Sequence, residues 1–429
     1  MTTPEIQART IVQSPAKVAF ASLVGTSIEW YDFFAYGTAA ALVFNKLFFP
    51  TFDATTGTLL SFSTFTAGFV ARPIGGLVFG HLGDRLGRKK MLVSTIMIMG
   101  LATVLIGLLP TYAAIGMAAP ILLVVLRLLQ GFSVGGEWGG AALMAVEHSP
   151  DGRRGFYGSW PQMGVPVGLI LASAVFLPLA ALPADQFLAW GWRLPFLLSF
   201  VLVVAGLLIR LKVSESPEFE RIKLQKTVVR APIVEVLRKY PVRVLLIAGA
   251  YLSSGIFFYL LAVYNLVYAT HAGISRSAML GVIIVTSLFG LVCIPVIGKL
   301  ADRVGRRRLY VIGQVLIVAM AFPVYWSIDS GSLVLVTITY LVSTVAFYLP
   351  YAIMPAYFSE LFGAGVRYSG LSLGTTVGTI LGNSLAPLIA GALLAATGSA
   401  TSISVYVIAT ALLSLACLLG LADRSREKH

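Results

Sequence analysis

Two carboxylates, Glu29 and Asp32, stand three residues apart inside a long apolar run, with Ser22, Gly25 and Tyr36 on the same helical face. Arg127 interrupts a second such run, and Arg72 and Glu137 are also set among apolar residues. Ionisable groups in hydrocarbon are costly, so each needs a partner or a task. At 1.5 Å per residue the two acids lie roughly 16–21 Å above the start of their helix, and Arg127 roughly 12–14 Å down from the opposite surface. In a core about 30 Å thick these depths coincide. Proton binding by a carboxylate depends on burial, neighbouring acids and nearby guanidinium groups. A carboxylate that moves among such surroundings can therefore take up and release a proton as the protein changes shape. Asp32, Glu29 and Arg127 form the expected proton-coupling set, an acid–arginine pair in which either acid could carry the proton. The competing reading is a static structural ion pair.

Arg72 lies about 21 Å below the outer end of its helix, and Glu137 lies near the same level. Two readings stay open: an arginine that draws in a substrate carboxylate, or an Arg72–Glu137 gate pair. Arg127, Tyr36, Arg72, Gln162, Trp160, Tyr251, Tyr259, Tyr348, Tyr351 and Asn383 are the candidate substrate-binding residues. Asn383 stands out among the uncharged ones, because an amide deep in a helix needs a polar partner. Gly131, Gly135 and Gly139, at four-residue spacing, allow one helix to pack closely on a neighbour.

These residues need a membrane-spanning frame. Of 429 residues 58% are hydrophobic and 11% charged, with a mean hydropathy of +0.88. A soluble chain of this size could not keep so much apolar surface from water. Twelve apolar runs of spanning length extend from 18–44 to 401–421, predicting an all-α membrane protein. The expected organisation is a six-helix half at 1–212, a cytoplasmic linker at 213–242, a second half at 243–421 and a tail at 422–429. Loops on the N-terminal side carry 26 of the 31 Lys and Arg, which places both termini in the cytoplasm. The net charge of +13 thus reflects topology, and no nucleic-acid partner is expected. Cys293 and Cys417 read as small buried hydrophobes, with no disulfide or metal site.

The halves are copies. Gly80-His81-Leu82-Gly83-Asp84-Arg85-Leu86-Gly87-Arg88-Lys89-Lys90 recurs 218 residues later as Gly298-Lys299-Leu300-Ala301-Asp302-Arg303-Val304-Gly305-Arg306-Arg307-Arg308. Glu147 and Arg154 stand seven apart, as do Glu360 and Arg367. In each loop the aspartate is expected to accept from N–H groups at the next helix start or to pair with the following arginine. Gly83 and Gly87 are expected to allow a tight reversal. Gly83, Asp84, Arg85, Gly87, Arg88, Glu137, Glu147, Arg154, Asp302, Arg303, Gly305, Arg306, Glu360 and Arg367 form the expected gating set, a charge lattice holding an inner gate shut.

The loop pair resembles the signature of the major facilitator superfamily. Glu29-Trp30-Tyr31-Asp32-Phe33-Phe34-Ala35-Tyr36-Gly37 is similar to the first-helix signature of its metabolite:proton symporter family. Arg72-Pro73-Ile74-Gly75-Gly76, the stretch from Arg127 to Gly140, and Trp190-Gly191-Trp192-Arg193 strengthen the likeness. Gln186-Phe187-Leu188 and Gly363 to Gly370 are most similar to the shikimate branch. The resemblance implies a twelve-helix fold around a central cavity in the bacterial inner membrane. It implies a proton-coupled symporter of a small organic acid such as shikimate or an oxo-dicarboxylate, working as a monomer in the lipid bilayer. No cofactor is expected beyond the coupling proton. A proline or betaine symporter is the alternative substrate reading, weakened because the residues after Leu421 carry no heptads. A non-transporting membrane sensor is the rival class. No phosphate-cradling Gly-x-x-x-x-Gly-Lys-Ser/Thr occurs, and no nucleophile–base cluster suggests an enzyme.

Overall fold

Within hydrocarbon a backbone must satisfy its own N–H and C=O groups, which favours helix wherever a single segment crosses. The computed structural model describes residues 14–180, 182–225 and 227–421, apart from the side chains of a few helical residues, His271 and Arg276 among them. The tail at 422–429 and Lys226 of the linker lie outside the described residues.

Among the described residues the chain is helical, with no strand. Twelve long helices follow in order. They are α1 (Pro15–Ala39), α2 (Ala54–Leu86), α3 (Arg88–Leu108), α4 (Ala118–Glu147), α5 (Arg154–Leu179) and α6 (Gly191–Leu211). After a polar segment come α7 (Pro241–Thr270), α8 (Arg276–Val304), α9 (Arg306–Asp329), α10 (Leu333–Ser359), α11 (Ala364–Thr397) and α12 (Thr401–Leu419). Eleven of them are long and apolar enough to cross a membrane. The remaining one, α1, carries the buried Glu29 and Asp32. Two short helices, Pro217–Leu224 and Pro232–Lys239, occupy the segment between α6 and α7.

The duplicated stretches are not loops. Each is helix up to a single glycine, and a new helix starts one residue later. Gly87 (φ 111°) separates α2 from α3, and Gly305 (φ 103°) separates α8 from α9. Only a residue without Cβ adopts that backbone cheaply, so these two glycines make the reversals. Gly83 is helical and makes no turn, contrary to expectation. Its missing side chain leaves room for the ring of Tyr368 from α11. In α4, Gly131 and Gly135 press against the backbone of Gly68 and Arg72 in α2, the close helix pairing their spacing predicts.

The two sets of six meet along matched seams, α2 against α11 and α5 against α8. Among the described residues there are three π turns, one at Ala40–Phe44 directly after α1, one at Leu260–Tyr264 within α7 and one at Ile380–Ser384 within α11. Such turns shift the register of the side chains that follow. The one in α11 contains Asn383.

Candidate functional site

Both sets of six helices contribute to a central cavity of about 910 Å³, open solvent at its mouth included. From the first six come Glu29, Arg72 and Trp138; from the second come Tyr251, Tyr259, Tyr351, Thr375 and Asn383. Mostly aromatic walls with a few convergent polar groups are the usual make-up of a small-molecule site. Arg72 has no hydrogen-bond or ion-pair partner among the described residues. Its guanidinium lies over the rings of Phe69, at 4.5 Å, and Phe33, at 5.3 Å. Glu29 Oε2 is buried with no hydrogen-bond partner. Asn383 Nδ2 donates to the Tyr251 hydroxyl at 3.3 Å, and its Oδ1 is unpartnered.

Behind this cavity lies a void with room for about one water, lined by Glu29, Asp32, Arg72, Arg127 and Gln130 among others. The expected direct Asp32–Arg127 pair is not formed. Asp32 Oδ2 accepts from Thr103 Oγ1 at 2.7 Å, and Oδ1 accepts from Ser199 Oγ at 2.6 Å. Gln130 Nε2 donates to Thr103 Oγ1 at 2.7 Å, while Arg127 Nη1 donates to Gln130 Oε1 at 3.1 Å. Acid and arginine are thus joined by a relay of two neutral side chains. The two charges share a depth, but the α3 threonine and the α4 glutamine stand between them. Tyr36, expected at the substrate, is buried outside the central cavity: it donates to Thr64 at 2.7 Å and carries the Arg127 guanidinium 4.2 Å above its ring.

The Arg72–Glu137 gate pair is not formed either. Glu137 pairs with Arg210 of α6, a buried ion pair inside the first six helices, and accepts from Thr95. Arg210 Nη1 also donates to the Leu92 carbonyl at 2.8 Å. Arg72 and Arg210 both approach the level of Glu137, and only the helix packing decides which one reaches it.

At the end of the bundle that carries the basic loops, the two sets of six are joined by two matched locks. Asp84 accepts from the N–H groups of Tyr368, at 3.3 Å, and Ser369, at 2.9 Å, in the first α-helical turn of α11, which follows a 3-10 turn at Ala364–Val366. Asp302 accepts from the N–H groups of Gly155, at 2.7 Å, and Phe156, at 2.9 Å, in the first turn of α5. Each aspartate therefore caps a helix of the opposite set, not the helix that follows it. An anion there meets both unpaired N–H groups and the positive end of the helix dipole. Arg88 lies 3.4 Å from Asp84 and 3.6 Å from Glu147; Arg306 lies 3.1 Å from Asp302 and also binds Glu360. Glu147 and Arg154 do not pair with each other. Glu147 takes Arg367 at 2.9 Å and Arg154 reaches Glu360 at 3.6 Å, each across the seam. Arg85 and Arg303 are exposed and stand outside the lattice.

Three other substrate candidates lie off the cavity. Gln162 accepts from Trp138 Nε1 at 2.7 Å and donates to the Tyr351 carbonyl at 2.6 Å, tying α4 to α10. Trp160 packs on Phe156 and Tyr157, and Tyr348 is buried against Gly290 of α8. Sequence reasoning missed Thr103, Ser199 and Arg210. Their only signal was polarity inside apolar runs. It also missed Tyr368, whose hydroxyl donates to the Gly136 carbonyl.

The sequence pattern of the Major Facilitator Superfamily matches residues 23–387. The chain is 40% identical over 416 residues to the shikimate transporter of Escherichia coli, covering 96% of this chain and 95% of that protein. It is 43% identical over 420 residues to an inner membrane metabolite transport protein of the same organism, covering 96% and 95%. To the proline/betaine transporter of Salmonella typhimurium it is 33% identical over 411 residues, covering 93% of this chain and 82% of that protein. A crystal structure of a double tryptophan mutant of XylE superposes with a TM-score of 0.77 at 16% identity, covering 94% of both chains. That likeness is one of fold.

Proposed function

The chain belongs to the major facilitator superfamily, a family of transporters and not of enzymes, and from that premise we propose a proton-coupled symporter. It imports a small hydrophilic organic acid across the bacterial inner membrane by alternating access, with both termini cytoplasmic. The two six-helix halves, 1–212 and 243–421, rock about the central cavity, joined by the linker at 213–242. Asp32 carries the proton; Arg72 receives the substrate carboxylate. The observation that carries the reading is the charge arrangement at mid-depth. An arginine held only by aromatic faces lines the cavity, and one void behind it reaches a carboxylate gripped by two hydroxyls.

An unpaired guanidinium against an apolar wall fits a carboxylate far better than it fits a neutral sugar. Thr375, Thr376, Thr379 and Asn383 supply hydroxyls and an amide for the rest of a hydroxylated or oxo acid. The relative named as a shikimate transporter supports that class. One proton moving down roughly 150 mV supplies about 3.5 kcal/mol, a few hundredfold accumulation, which suits scavenging. The locks at the basic end fit a state closed toward the cytoplasm.

A second reading has its own observation. Trp30, Trp138, Phe258, Tyr259 and Tyr351 surround the cavity beside the unpaired Glu29, a lining suited to a quaternary ammonium group. A thermal-shift screen over shikimate, oxoglutarate, citrate, protocatechuate, proline and betaine separates the two. Stabilisation by an acid that is lost in Arg72→Ala supports the first reading; stabilisation by betaine that is lost in Glu29→Gln supports the second. On the proton, Asp32→Asn is expected to abolish proton-driven uptake while leaving substrate exchange. Full accumulation in both Asp32→Asn and Glu29→Gln would refute the assignment.

A further inference from the structure

The two hydroxyls on Asp32 differ in where else they can turn. A hydroxyl has one hydrogen and two lone pairs. Thr103 Oγ1 lies 2.7 Å from Asp32 Oδ2 and 2.9 Å from the Met99 carbonyl, so its hydrogen has two acceptors in normal range. Ser199 Oγ lies 2.6 Å from Oδ1, but its alternative, the Pro195 carbonyl, is at 3.4 Å and already accepts from Tyr31 at 2.7 Å. Thr103 also accepts from Gln130, the residue that holds Arg127.

We propose that Thr103 is a positioning residue for proton coupling, a hydroxyl rotor that keeps Asp32 hydrogen-bonded in both of its protonation states while it goes on accepting from Gln130, the residue that holds Arg127. The proposal rests on the reading that Asp32 carries the transported proton. When the carboxylate is charged, Thr103 donates to Oδ2 and accepts from Gln130. When a proton arrives, an O–H bond forms at Oδ2. The Thr103 hydrogen swings to the Met99 carbonyl, and the hydrogen bond it made to Oδ2 is replaced by one donated from Oδ2–H to Oγ1. Its two lone pairs then accept from Oδ2–H and from Gln130 Nε2–H. Every donor finds an acceptor in both states, as a buried switch requires. The new proton belongs on Oδ2 because only the partner of that oxygen has a second acceptor at full hydrogen-bond distance. It enters from the void, where the free Glu29 Oε2 faces the same space as the central cavity.

The charged and titratable groups that face Asp32 are Glu29 and Tyr31 from α1, Arg72 from α2 and Arg127 from α4. Helices α3 and α6 present only the two hydroxyls. A donor to a carboxylate is worth more when the carboxylate is charged. Losing the Thr103 hydroxyl therefore shifts the balance toward the protonated acid by about one pH unit, the difference between a hydrogen bond to a charged group and one to its neutral form.

The test is substrate-independent. The carboxyl C=O infrared band of the purified full-length protein is titrated with pH and assigned to Asp32 by its loss in Asp32→Asn. The midpoint is expected to rise by about one unit in Thr103→Val and in Thr103→Ala and to return in Thr103→Ser. The band itself moves to higher frequency in the first two variants, because the protonated acid has lost its acceptor. A merely structural threonine would lower the yield of folded protein and leave the midpoint where it was. An unchanged midpoint in either folded variant overturns the rotor. Absence of any titrating band that Asp32→Asn removes overturns the reading of Asp32 as carrier, and the rotor with it.

Discussion

The two locks at the basic end share a plan and differ in depth. In the first, Asp84 and Arg88 have side chains 0% exposed, Glu147 is 1% exposed and Arg367 is 17% exposed. In the second, Asp302 and Arg306 are 6% and 9% exposed, while Glu360 and Arg154 reach 18% and 22%. The first lock is also reinforced. The Tyr368 ring fills the space left by Gly83 and Gly139. The linker adds Glu215, which accepts from the N–H groups of Arg88, at 3.0 Å, and Lys89, at 3.2 Å, at the start of α3. Ser216 binds Glu147, and the Arg88 guanidinium lies 4.9 Å over the Phe219 ring. No linker residue touches Asp302 or Arg306 in any of these ways among the described residues. Burial also pushes the Glu215 carboxyl above the usual carboxylate range, against the pull of the same N–H groups. A duplicated loop has thus become one deep, strapped lock and one shallower one, and under the proposed alternating access the deep lock is the one expected to resist opening at the basic end.

That contrast is breakable. Asp84→Asn removes one of the two carboxylates that hold the fully buried Arg88, together with the charged cap on α11, at a cost of about 3–5 kcal/mol. Its expected signature is a large gain in labelling of a cysteine at Ser372, on the cavity floor, by an impermeant thiol reagent from the cytoplasmic side, in a background without Cys293 and Cys417. Asp302→Asn should move the same readout in the same direction by less, about 1.5–3 kcal/mol, since water screens its site. Equal effects would remove the asymmetry. Exchanging the charges of Glu147 and Arg367 in one double variant is expected to recover about 0.5–3 kcal/mol of thermal stability relative to the two single reversals, measured as a double-mutant cycle. Exchanging Glu147 with Arg154 should recover nothing. The smallest effect is expected from Glu215→Gln, about 1 kcal/mol for a weakened cap on α3, read as a modest rise in the same labelling rate.

The sequence made the plan of these locks legible and hid their pairing. A glycine three residues past each aspartate predicts a reversal, and Gly87 and Gly305 make it. That each aspartate would cap a helix in the opposite half is a property of how the halves dock. Nothing local in the chain encodes it. The seven-residue spacing of Glu147 and Arg154, echoed by Glu360 and Arg367, marks the repeat but does not reveal that each is paired across the seam. Mid-membrane the same limit applies. Residue count gives depth, so Asp32 and Arg127 were placed at one level. Depth gives no azimuth, so the threonine and glutamine between them, and the choice of Arg210 over Arg72 by Glu137, stayed invisible. Aromatic candidates divided in the same way: Tyr251, Tyr259 and Tyr351 face the cavity, while Tyr36 and Tyr348 are spent on packing.

The central claim is that entry of an organic acid and entry of a proton are one event. The direct measurement is interior acidification of proteoliposomes, with no imposed gradient, on external addition of shikimate or whichever acid the thermal-shift screen selects. The account predicts acidification that saturates with the acid in the wild-type protein and is absent in Asp32→Asn, even though Asp32→Asn still exchanges labelled for unlabelled acid. Uptake of the acid with no accompanying proton movement would contradict it.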